Sequence, residues 1–273
     1  MNINKKAKPF LRWAGSKKQV IPKLKQFWHD DYNTYIEPFV GSAQFFFSIN
    51  PKKAIISDIN KELIETYLII KKEPEALAYS LDNFPSISKE QYYLIRDLDL
   101  NKLTKYEKAA RFIFLNRYCF NGLYRTNNSG RFNVPFCNSI SAQLPTRDEL
   151  LICSEKLTNT KILHGDFETI TRQHSREGDF VYMDPPYAIS NKKIFQQYNP
   201  VSFGLNDIER LKILLDHFKT HKINFLLSYA YTKEMVQNFS KWEKHRIITR
   251  RNIAGFSKDR KNAAELLVTN HLK

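Results

Sequence analysis

The chain has 273 residues, of which 42% are hydrophobic, and its 43 lysines and arginines exceed its 28 aspartates and glutamates to give a formal charge of +15 at pH 7. This composition excludes a disordered chain. The scattered cysteines Cys119, Cys137 and Cys153, with no signal-peptide or membrane-spanning apolar run, predict a soluble cytoplasmic protein without a disulfide framework or zinc site. The excess of positive charge favours a polyanionic partner such as nucleic acid.

A glycine-containing turn follows the first predicted strand, Tyr35–Glu37, and leads into an apolar helix. The turn reads Glu37-Pro38-Phe39-Val40-Gly41. Glycine lets the backbone approach a ligand closely, and the start of a helix favours a carboxylate group. A single glycine is a weak signal, so an ordinary turn is the alternative interpretation.

The second predicted strand, Ala54–Asp58, ends in an acidic residue. In dinucleotide-binding folds a carboxylate at this position accepts hydrogen bonds from ribose hydroxyls. Asp58 is therefore a candidate for binding the ribose of a nucleoside cofactor. A simple cap at the end of the strand is the alternative.

Helical patterns dominate from Asn60 to about Leu157, far more residues than a crossover between parallel strands needs. Capping-box sequences mark helix starts at Ser88-x-x-Gln91, Thr104-x-x-Glu107 and Thr146-x-x-Glu149. We therefore predict that residues 1–60 and 158–273 form one domain into which a helical lobe, residues 61–157, is inserted. An insertion at the carboxyl edge of a parallel sheet lies where such folds bind ligands, so this lobe is a candidate for reading DNA.

One segment of this lobe, Asn116–Phe136, mixes arginines with aromatic residues, asparagines and glycines. Such side chains contact phosphates, wedge into base stacks and read base edges. A solvated loop is the alternative, but a loop of this composition would expose much apolar surface. The arginines and aromatic residues of the segment are Arg117, Tyr118, Phe120, Tyr124, Arg125, Arg131 and Phe132.

The third predicted strand is Lys161–Gly165 and the fourth is Phe180–Met183. The fourth strand is followed directly by the sequence Asp184-Pro185-Pro186-Tyr187. Two consecutive prolines cannot continue a strand or enter a helix interior, so they form a rigid extended turn. Such a turn holds the Asp184 carboxylate, the Pro185 carbonyl and the Tyr187 ring in set positions. A plain surface turn is the alternative.

That turn suits methylation of the N6 amine of adenine, whose lone pair is delocalised into the ring. If a carboxylate and a backbone carbonyl each accept one N6 hydrogen, the nitrogen is drawn toward a tetrahedral state and can attack a methyl group on a sulfonium. Tyr187 would stack on the base, which must leave the duplex to react.

The remaining predicted strands are Phe225–Ser228, His245–Arg250 and Ala264–Thr269. No helical pattern separates the last two, so we expect an antiparallel hairpin at the sheet edge. Elsewhere strands alternate with helices, which predicts an α/β fold with a largely parallel sheet. A basic stretch, Arg246–Lys261, is predicted either to flank bound DNA or to form a solvated hairpin tip, and it includes Arg250, Arg251, Lys258, Arg260 and Lys261.

Four blocks in this order resemble the Dam-like family (D12 class) of site-specific DNA adenine N6-methyltransferases. They are FLRWAGSKKQ at Phe10–Gln19, YIEPFVGSAQFFF at Tyr35–Phe47, NRYCFNGLYRTNNSGRFNVPF at Asn116–Phe136, and DPPY at Asp184–Tyr187. The resemblance runs from Pro9 to about Leu267. It implies a Rossmann-like mixed seven-stranded methyltransferase sheet with an inserted helical target-recognition lobe.

The resemblance also implies S-adenosyl-L-methionine as the cofactor. Catalytic residues carried over from the family are Asp184, Pro185 and Tyr187. From residue type alone, without the resemblance to the family, we would predict that Trp13 and Phe167 lie in the hydrophobic core and that Lys17 is exposed to solvent. The implied cofactor-binding residues are Trp13, Lys17, Glu37, Phe39, Gly41, Asp58, Asp166, Phe167 and Asp184.

Duplex DNA is the implied partner, and most family members with the FNGLxR motif read GATC, so we expect GATC or a site containing GAT. The chain departs from the family's glycines at Ala43 and Cys137, which affects the cofactor turn and the exit of the DNA loop. The implied DNA-binding residues are Arg12, Arg117, Phe120, Asn121, Leu123, Arg125, Asn127, Arg131 and Pro135.

Two other functional classes stay open from the sequence. The enzyme could methylate RNA adenine, cytosine N4 or a protein glutamine, or the chain could be a DNA-binding module with an inactive pocket. The intact Lys17, Asp58, Asp184 and Tyr187 argue against the second. We expect a monomer, compatible with a restriction endonuclease that acts separately.

Overall fold

A seven-stranded mixed sheet forms the centre of the computed structural model, which describes residues 7–15, 17–137, 142–187, 203–250 and 262–270. The strands lie in the order β3-β2-β1-β4-β5-β7-β6. The five strands β1 to β5 are parallel, and β7 is antiparallel to both of its neighbours. The predicted α/β class is confirmed. In these ranges the strands are β1 Tyr35–Glu37, β2 Ala54–Asp58, β3 Thr160–His164, β4 Phe180–Met183, β5 Asn224–Ala230, β6 Glu243–Arg250 and β7 Asn262–Thr269.

The predicted antiparallel pairing of the last two strands is also confirmed, and β6 forms one edge of the sheet. Both strands begin two residues earlier than predicted, because pairs such as Glu243 with Thr269 and Arg250 with Asn262 include polar positions that carry no apolar signal. β3 begins and ends one residue earlier than predicted, and β5 is longer at both ends.

Ten α-helices in the described ranges accompany the sheet, five of them between β2 and β3, where the helical insertion is predicted. Thr104 and Thr146 form complete capping boxes, and the Ser88 side chain accepts a hydrogen bond from the Gln91 amide. None of these helices has both the length and the apolar character needed to cross a membrane. They are α1 Ile21–Leu24, α2 Gln44–Ile49, α3 Lys61–Lys72, α4 Pro74–Asp82, α5 Lys89–Arg96, α6 Lys105–Tyr118, α7 Arg147–Leu157, α8 Phe167–His174, α9 Leu205–Thr220 and α10 Lys233–Asn238.

Apolar clusters cover both faces of the sheet, because successive side chains of a strand point to opposite faces. Phe180 and Tyr182 of β4 belong to the cluster that includes α3, α4, α6 and α7, whereas Val181 and Met183 pack with α9. A third cluster joins the end of α6 to Phe132 and Val134. The segment 119–137 is therefore anchored to α6. The division into two domains at residues 61 and 157 stays a prediction.

Candidate active site

The carboxyl ends of β1 and β4 lie side by side at the point where the strand order reverses. β2 and β3 continue the sheet beyond β1, while β5, β7 and β6 continue it beyond β4. In open parallel sheets such a reversal creates a crevice in which ligands bind. The turn after Glu37 and the Asp184–Tyr187 turn therefore flank one crevice.

The Asp184 carboxylate is held mainly through one of its oxygens. Lys17 Nζ lies 3.0 Å from Oδ1, and the Ser228 hydroxyl on β5 donates to the same oxygen at 3.5 Å. The Ser228 hydroxyl also lies 3.0 Å from the Tyr182 hydroxyl. The Asp184 side chain is 22% exposed, so a ligand in the crevice can reach its carboxylate.

Burial raises the pKa of Asp184 to about 6. The positive charge of Lys17 opposes this rise, and the negative charge of Glu265 adds to it. Asp184 is therefore ionised at neutral pH and takes up a proton in mildly acidic solution.

Lys17 is buried, contrary to the solvated position that its residue type alone would suggest. Its ammonium donates to the Tyr187 hydroxyl at 2.7 Å and to Glu265 Oε1 at 3.2 Å, in addition to its ion pair with Asp184. Burial alone would lower the pKa of Lys17, but the two carboxylates and Tyr187 outweigh burial and raise it. Lys17 is thus the cation of a buried cluster with two carboxylates.

Glu265 is the member of this cluster that the sequence analysis missed. It lies in β7 and is buried, like the apolar residues that follow it, Leu266 and Leu267. A charged residue inside a buried apolar strand is rare unless it is paired. That contrast within the run from Ala264 to Thr269 was the available signal.

Tyr187 turns its hydroxyl toward Lys17 and its ring toward β5. The ring lies 4.9 Å from that of Tyr229, and the Lys17 ammonium lies 5.1 Å from its centre. Burial raises the pKa of Tyr187 to about 12, so the hydroxyl is neutral in the ordinary pH range. Tyr187 is half-buried beside the crevice, and its role in stacking a base stays a prediction.

The turn after β1 has the left-handed backbone conformation at two positions, Gly41 (φ +44°) and Ala43 (φ +52°). A Cβ atom on Gly41 would lie 2.7 Å from the Trp13 ring, so glycine is needed for this contact. At Ala43 the chain keeps the conformation that glycine favours without having a glycine. Glu37, at the start of the turn, is buried and accepts a hydrogen bond from the Tyr35 hydroxyl at 2.8 Å.

Asp58 connects this turn to the start of α3. Its Oδ2 accepts a hydrogen bond from the Gly41 amide at 3.1 Å, and its Oδ1 accepts one from the Asn60 amide at 3.0 Å. The strand-end cap that was the alternative interpretation is therefore present. A carboxylate has about four lone-pair sites, so further hydrogen bonds remain possible.

An aromatic group lies beside the end of β3. Phe39 and Phe167 stack with ring centroids 5.1 Å apart, and Phe203 lies 5.9 Å from Phe39. Phe167 is 6% exposed and belongs to the core of that face, as the core-packing alternative predicts. Asp166 caps α8 and accepts hydrogen bonds from the Thr169 amide and hydroxyl.

Arg210 of α9 is a second residue that the sequence analysis missed. Its Nη2 donates to Asp166 Oδ1 at 2.6 Å, its Nε donates to Glu168 at 2.9 Å, and its guanidinium lies 4.5 Å from the centre of the Phe167 ring. Burial would raise the pKa of Asp166, but the hydrogen bonds from Arg210 and Thr169 lower it. Arg210 therefore fixes two predicted cofactor-binding residues, Asp166 and Phe167.

The N-terminal block joins the crevice to the helical insertion. The Arg12 amide donates to Asn116 Oδ1 at 2.8 Å, and Asn116 Nδ2 donates to the Arg12 carbonyl at 2.6 Å. The Arg12 guanidinium donates to the Arg117 carbonyl at 3.1 Å. Arg12 and Arg117 also line one surface groove together with Gln143 and Leu144.

The segment 119–137, which we call the reading loop, folds back on itself through bridges between Cys119 and Phe136 and between Thr126 and Phe132. The Phe132 ring of this loop is buried, whereas several of the predicted DNA-binding side chains are exposed or half-buried. Arg125 Nε donates to Asn133 Oδ1 at 2.9 Å, whereas the half-buried Asn121 has a left-handed backbone (φ +56°). Leu123 is half-buried, and the exposed members of the set are Phe120, Asn127, Arg131 and Pro135.

The exit of the reading loop, where Cys137 replaces a family glycine, is bonded to the end of α6: the Cys137 amide donates to the Tyr118 carbonyl at 2.9 Å. Of the predicted basic stretch, Arg246 lies on β6 with its guanidinium 4.7 Å from the centre of the Tyr231 ring. Arg250 ends the same strand. Arg251, Lys258, Arg260 and Lys261 lie outside the described residues.

Comparison with known proteins found similarity over nearly the whole chain. Residues 13–253 match the family model of the D12 class N6 adenine-specific DNA methyltransferases. The type II methyltransferase M1.LlaDCHI of Lactococcus lactis subsp. cremoris is 33% identical, with 99% of each chain aligned. The type II methyltransferase M.MjaIII of Methanocaldococcus jannaschii is 34% identical over 97% of this chain and 99% of that protein. The DNA adenine methylase of Haemophilus influenzae is 30% identical over 96% of this chain and 93% of that protein.

Proposed function

This chain belongs to the D12 class of N6 adenine-specific DNA methyltransferases, and from that premise we propose that it methylates an adenine flipped out of a short duplex site, with S-adenosylmethionine as the donor. The observation that carries this mechanism is the position of Asp184. It follows β4 at the crevice, with its carboxylate held on one oxygen by Lys17 and Ser228.

Asp184 and Pro185 activate the amine in this proposal. The second carboxylate oxygen of Asp184 accepts one N6 hydrogen and the Pro185 carbonyl accepts the other, which directs the nitrogen lone pair away from the ring. The following proline, Pro186, keeps this backbone extended. Asp184 is ionised at neutral pH, so it can also take the proton that the amine loses after methyl transfer.

The residues along the crevice fit S-adenosylmethionine. Asp58 supplies a carboxylate for the ribose. The half-buried Phe39 ring, stacked on the buried Phe167, supplies an apolar surface beside the acceptor Asp166, as a purine with an exocyclic amine requires. When bound, S-adenosylmethionine supplies a methyl group on a positively charged sulfur. The remaining proposed contacts are Trp13, Lys17, Glu37 and Gly41.

The reading loop is proposed to recognise GATC or a site containing GAT. Exposed Phe120 suits insertion where the adenine has left the stack, together with Asn121. Arg125, which Asn133 orients through a hydrogen bond from Arg125 Nε, reads a guanine edge with its guanidinium in this proposal. Contacts from Arg12, Arg117, Leu123, Asn127, Arg131 and Pro135 complete the proposed interface.

Transfer of a labelled methyl group to a panel of nucleic acids tests the proposed function. The panel contains duplexes with GATC, with GAT in another context and without GAT, and single-stranded RNA with the same sequences. We expect labelled N6-methyladenine in GATC duplexes. Sequencing DNA from a methylation-deficient host that expresses the chain then identifies the complete site. Labelling of RNA alone would contradict the proposal.

The proposed role of Asp184 is tested by Asp184→Ala. We expect this variant to bind donor and duplex but to transfer no methyl group, while the exposed Asp216→Ala of α9 behaves as the unchanged protein. Near-normal turnover by Asp184→Ala would contradict the proposed activation of the amine by the Asp184 carboxylate.

A further inference from the structure

Glu265 places a second carboxylate beside the catalytic turn. Antiparallel pairing of β7 with β5 sets Glu265 opposite Ala230, at the carboxyl end of β5. The side chain is 6% exposed, and an isolated carboxylate so deeply buried is strongly disfavoured. The Lys17 ammonium is a cation that compensates this charge, and it lies 3.1 Å from Oε2 and 3.2 Å from Oε1.

The Lys17 ammonium has three N–H donors, and three acceptor groups among the described residues lie within hydrogen-bond distance. They are Tyr187, at 2.7 Å, the Asp184 carboxylate and the Glu265 carboxylate. With two donors directed to Tyr187 and Glu265, one is left for Asp184. That contact falls on Oδ1, the oxygen that Ser228 also approaches.

We infer that Glu265 is a positioning residue for methyl transfer: by accepting one N–H of Lys17, it holds the lysine on a single oxygen of Asp184 and leaves the other oxygen for the substrate amine. This inference rests on the proposed function, in which Asp184 accepts an N6 hydrogen. Without Glu265, the lysine can bridge both oxygens of Asp184 and compete with the amine.

The same geometry gives Glu265 and Lys17 opposite electrostatic effects on Asp184. Lys17 stabilises the ionised carboxylate, and Glu265 destabilises it, in addition to the effect of burial. The remaining titratable groups near Asp184 are the same in the unchanged protein and in the variants compared below. They therefore do not change the direction in which each variant shifts the pKa of Asp184. Among the described residues, the titratable groups that face Asp184 are Lys17, Tyr35, Glu37, Tyr182, Tyr187 and Glu265.

Carbon-13 NMR of labelled aspartate carboxyl groups measures this effect directly. The Asp184 signal is assigned by its loss in Asp184→Asn, and its titration midpoint is compared in the unchanged protein, Glu265→Gln and Lys17→Met. We expect the midpoint to fall by about one pH unit in Glu265→Gln and to rise by at least as much in Lys17→Met. The exposed Glu155→Gln of α7 leaves it unchanged. An unchanged or higher midpoint in Glu265→Gln overturns the inference.

Single-turnover rates against pH test the positioning itself. Glu265→Ala loses the acceptor for Lys17, so we expect its plateau rate to fall at least about 10-fold. Glu265→Gln keeps an acceptor oxygen, so we expect it to recover most of that rate, with its acid limb shifted to lower pH. Equal losses in both variants at every pH would show a structural role and overturn the inference.

If Glu265→Ala does not fold, the NMR and rate comparisons with Glu265→Gln still decide. Failure of the proposed function would be seen in a different experiment. Methyl transfer by Asp184→Ala would contradict the role of Asp184, whatever the Asp184 titration midpoints in the Glu265 variants are.

Discussion

Trp13 and Tyr124 lie nearly parallel, with ring centroids 6.3 Å apart and 16° between the ring planes. Trp13 lies against Gly41 in the proposed cofactor turn, whereas Tyr124 belongs to the reading loop. The Tyr124 hydroxyl also donates to Glu62 of α3 at 3.2 Å. One ring contact thus joins the two proposed ligand sites.

We expect Tyr124→Leu to weaken the coupling between donor and DNA binding. In the unchanged protein each ligand should raise the affinity for the other by the same factor, since coupling is reciprocal. Loss of the ring contact, worth about 1 kcal/mol, should reduce this factor several-fold. Calorimetry with S-adenosylhomocysteine and fluorescence anisotropy with duplex, each with and without the other ligand, measure it. Exposed Tyr79→Leu of α4 is the control, and equal coupling in both variants would refute the link.

Gly41→Ala should weaken donor binding. The new methyl group would meet the Trp13 ring at 2.7 Å on a left-handed backbone, so the ring must move from its place beside the turn. We expect at least about a 10-fold loss of affinity, given that overpacking costs about 1–3 kcal/mol. Gly130→Ala is a matched control, because its backbone is also left-handed (φ +73°) but no atom lies within 4 Å of the added methyl group. Similar losses in the two variants would point to backbone strain alone.

Methyl transfer should fail in mildly acidic solution. Asp184 must be ionised to accept an amine hydrogen, and its pKa is raised to about 6. The single-turnover rate should therefore fall about 10-fold between pH 7 and pH 5, as the ionised fraction does. Donor and duplex binding, measured at the same pH values, separate this effect from loss of binding. A rate that stays constant to pH 5 would exclude Asp184 ionisation as the cause.

Asp184→Asn should stabilise the fold in alkaline solution while it abolishes transfer. The folded protein holds the Asp184 proton more tightly than the unfolded chain does, because the pKa is raised from 3.8 to about 6. The contribution to stability is therefore present below pH 3.8 and is lost as the pH rises through about 6. At pH 8 the variant avoids this loss, and we expect a gain of about 1 kcal/mol, or roughly 2–4 °C in melting temperature.

Thermal unfolding of both proteins at pH 8 and pH 4 checks this expectation. The difference in melting temperature between the two proteins should shrink toward zero at pH 4, where Asp184 is largely protonated in the folded state. A variant that is less stable at pH 8 would show that Asp184 contributes more through Lys17 than it loses by burial.

Arg125 and Arg131 should affect DNA binding in different ways. Arg125→Ala should relax discrimination at one base pair by about 1–3 kcal/mol, since the guanidinium is proposed to read guanine. Exposed Arg131→Ala should weaken binding to all duplexes alike and lower the salt dependence by about one phosphate contact. Affinities for single-base variants of the site, measured at several salt concentrations, distinguish the two. Loss of discrimination in Arg131→Ala would reverse the assignment.

The central strands could be predicted because both of their faces are buried, so β4 and the first residues of β1 and β2 appear as continuous apolar runs. The polar ends of β6 and β7 could not, because their pairing is set by the partner strand. The position of β7 in the sheet could not be predicted either, because nothing in the sequence around Ala264 shows that this strand lies between β5 and β6.

Prediction of the site failed where the partner is distant in sequence. Asp184 and Gly41 lie in turns with a local signature, whereas the proposed role of Glu265 comes from its contact with Lys17, 248 positions away. Arg210 likewise lies 44 positions from Asp166 and looks like any basic residue on a helix. Long-range pairing of this kind becomes visible only when the sheet order is known.

The ion pair between Lys17 and Glu265 also constrains how the protein is made. A ribosome must release β7 from its exit tunnel before Lys17, synthesised 248 positions earlier in the chain, meets the Glu265 carboxylate. Contacts of such long sequence separation form late in folding. Incomplete nascent chains therefore lack the assembled centre, and DNA is exposed to the activity only of molecules whose synthesis has passed this strand.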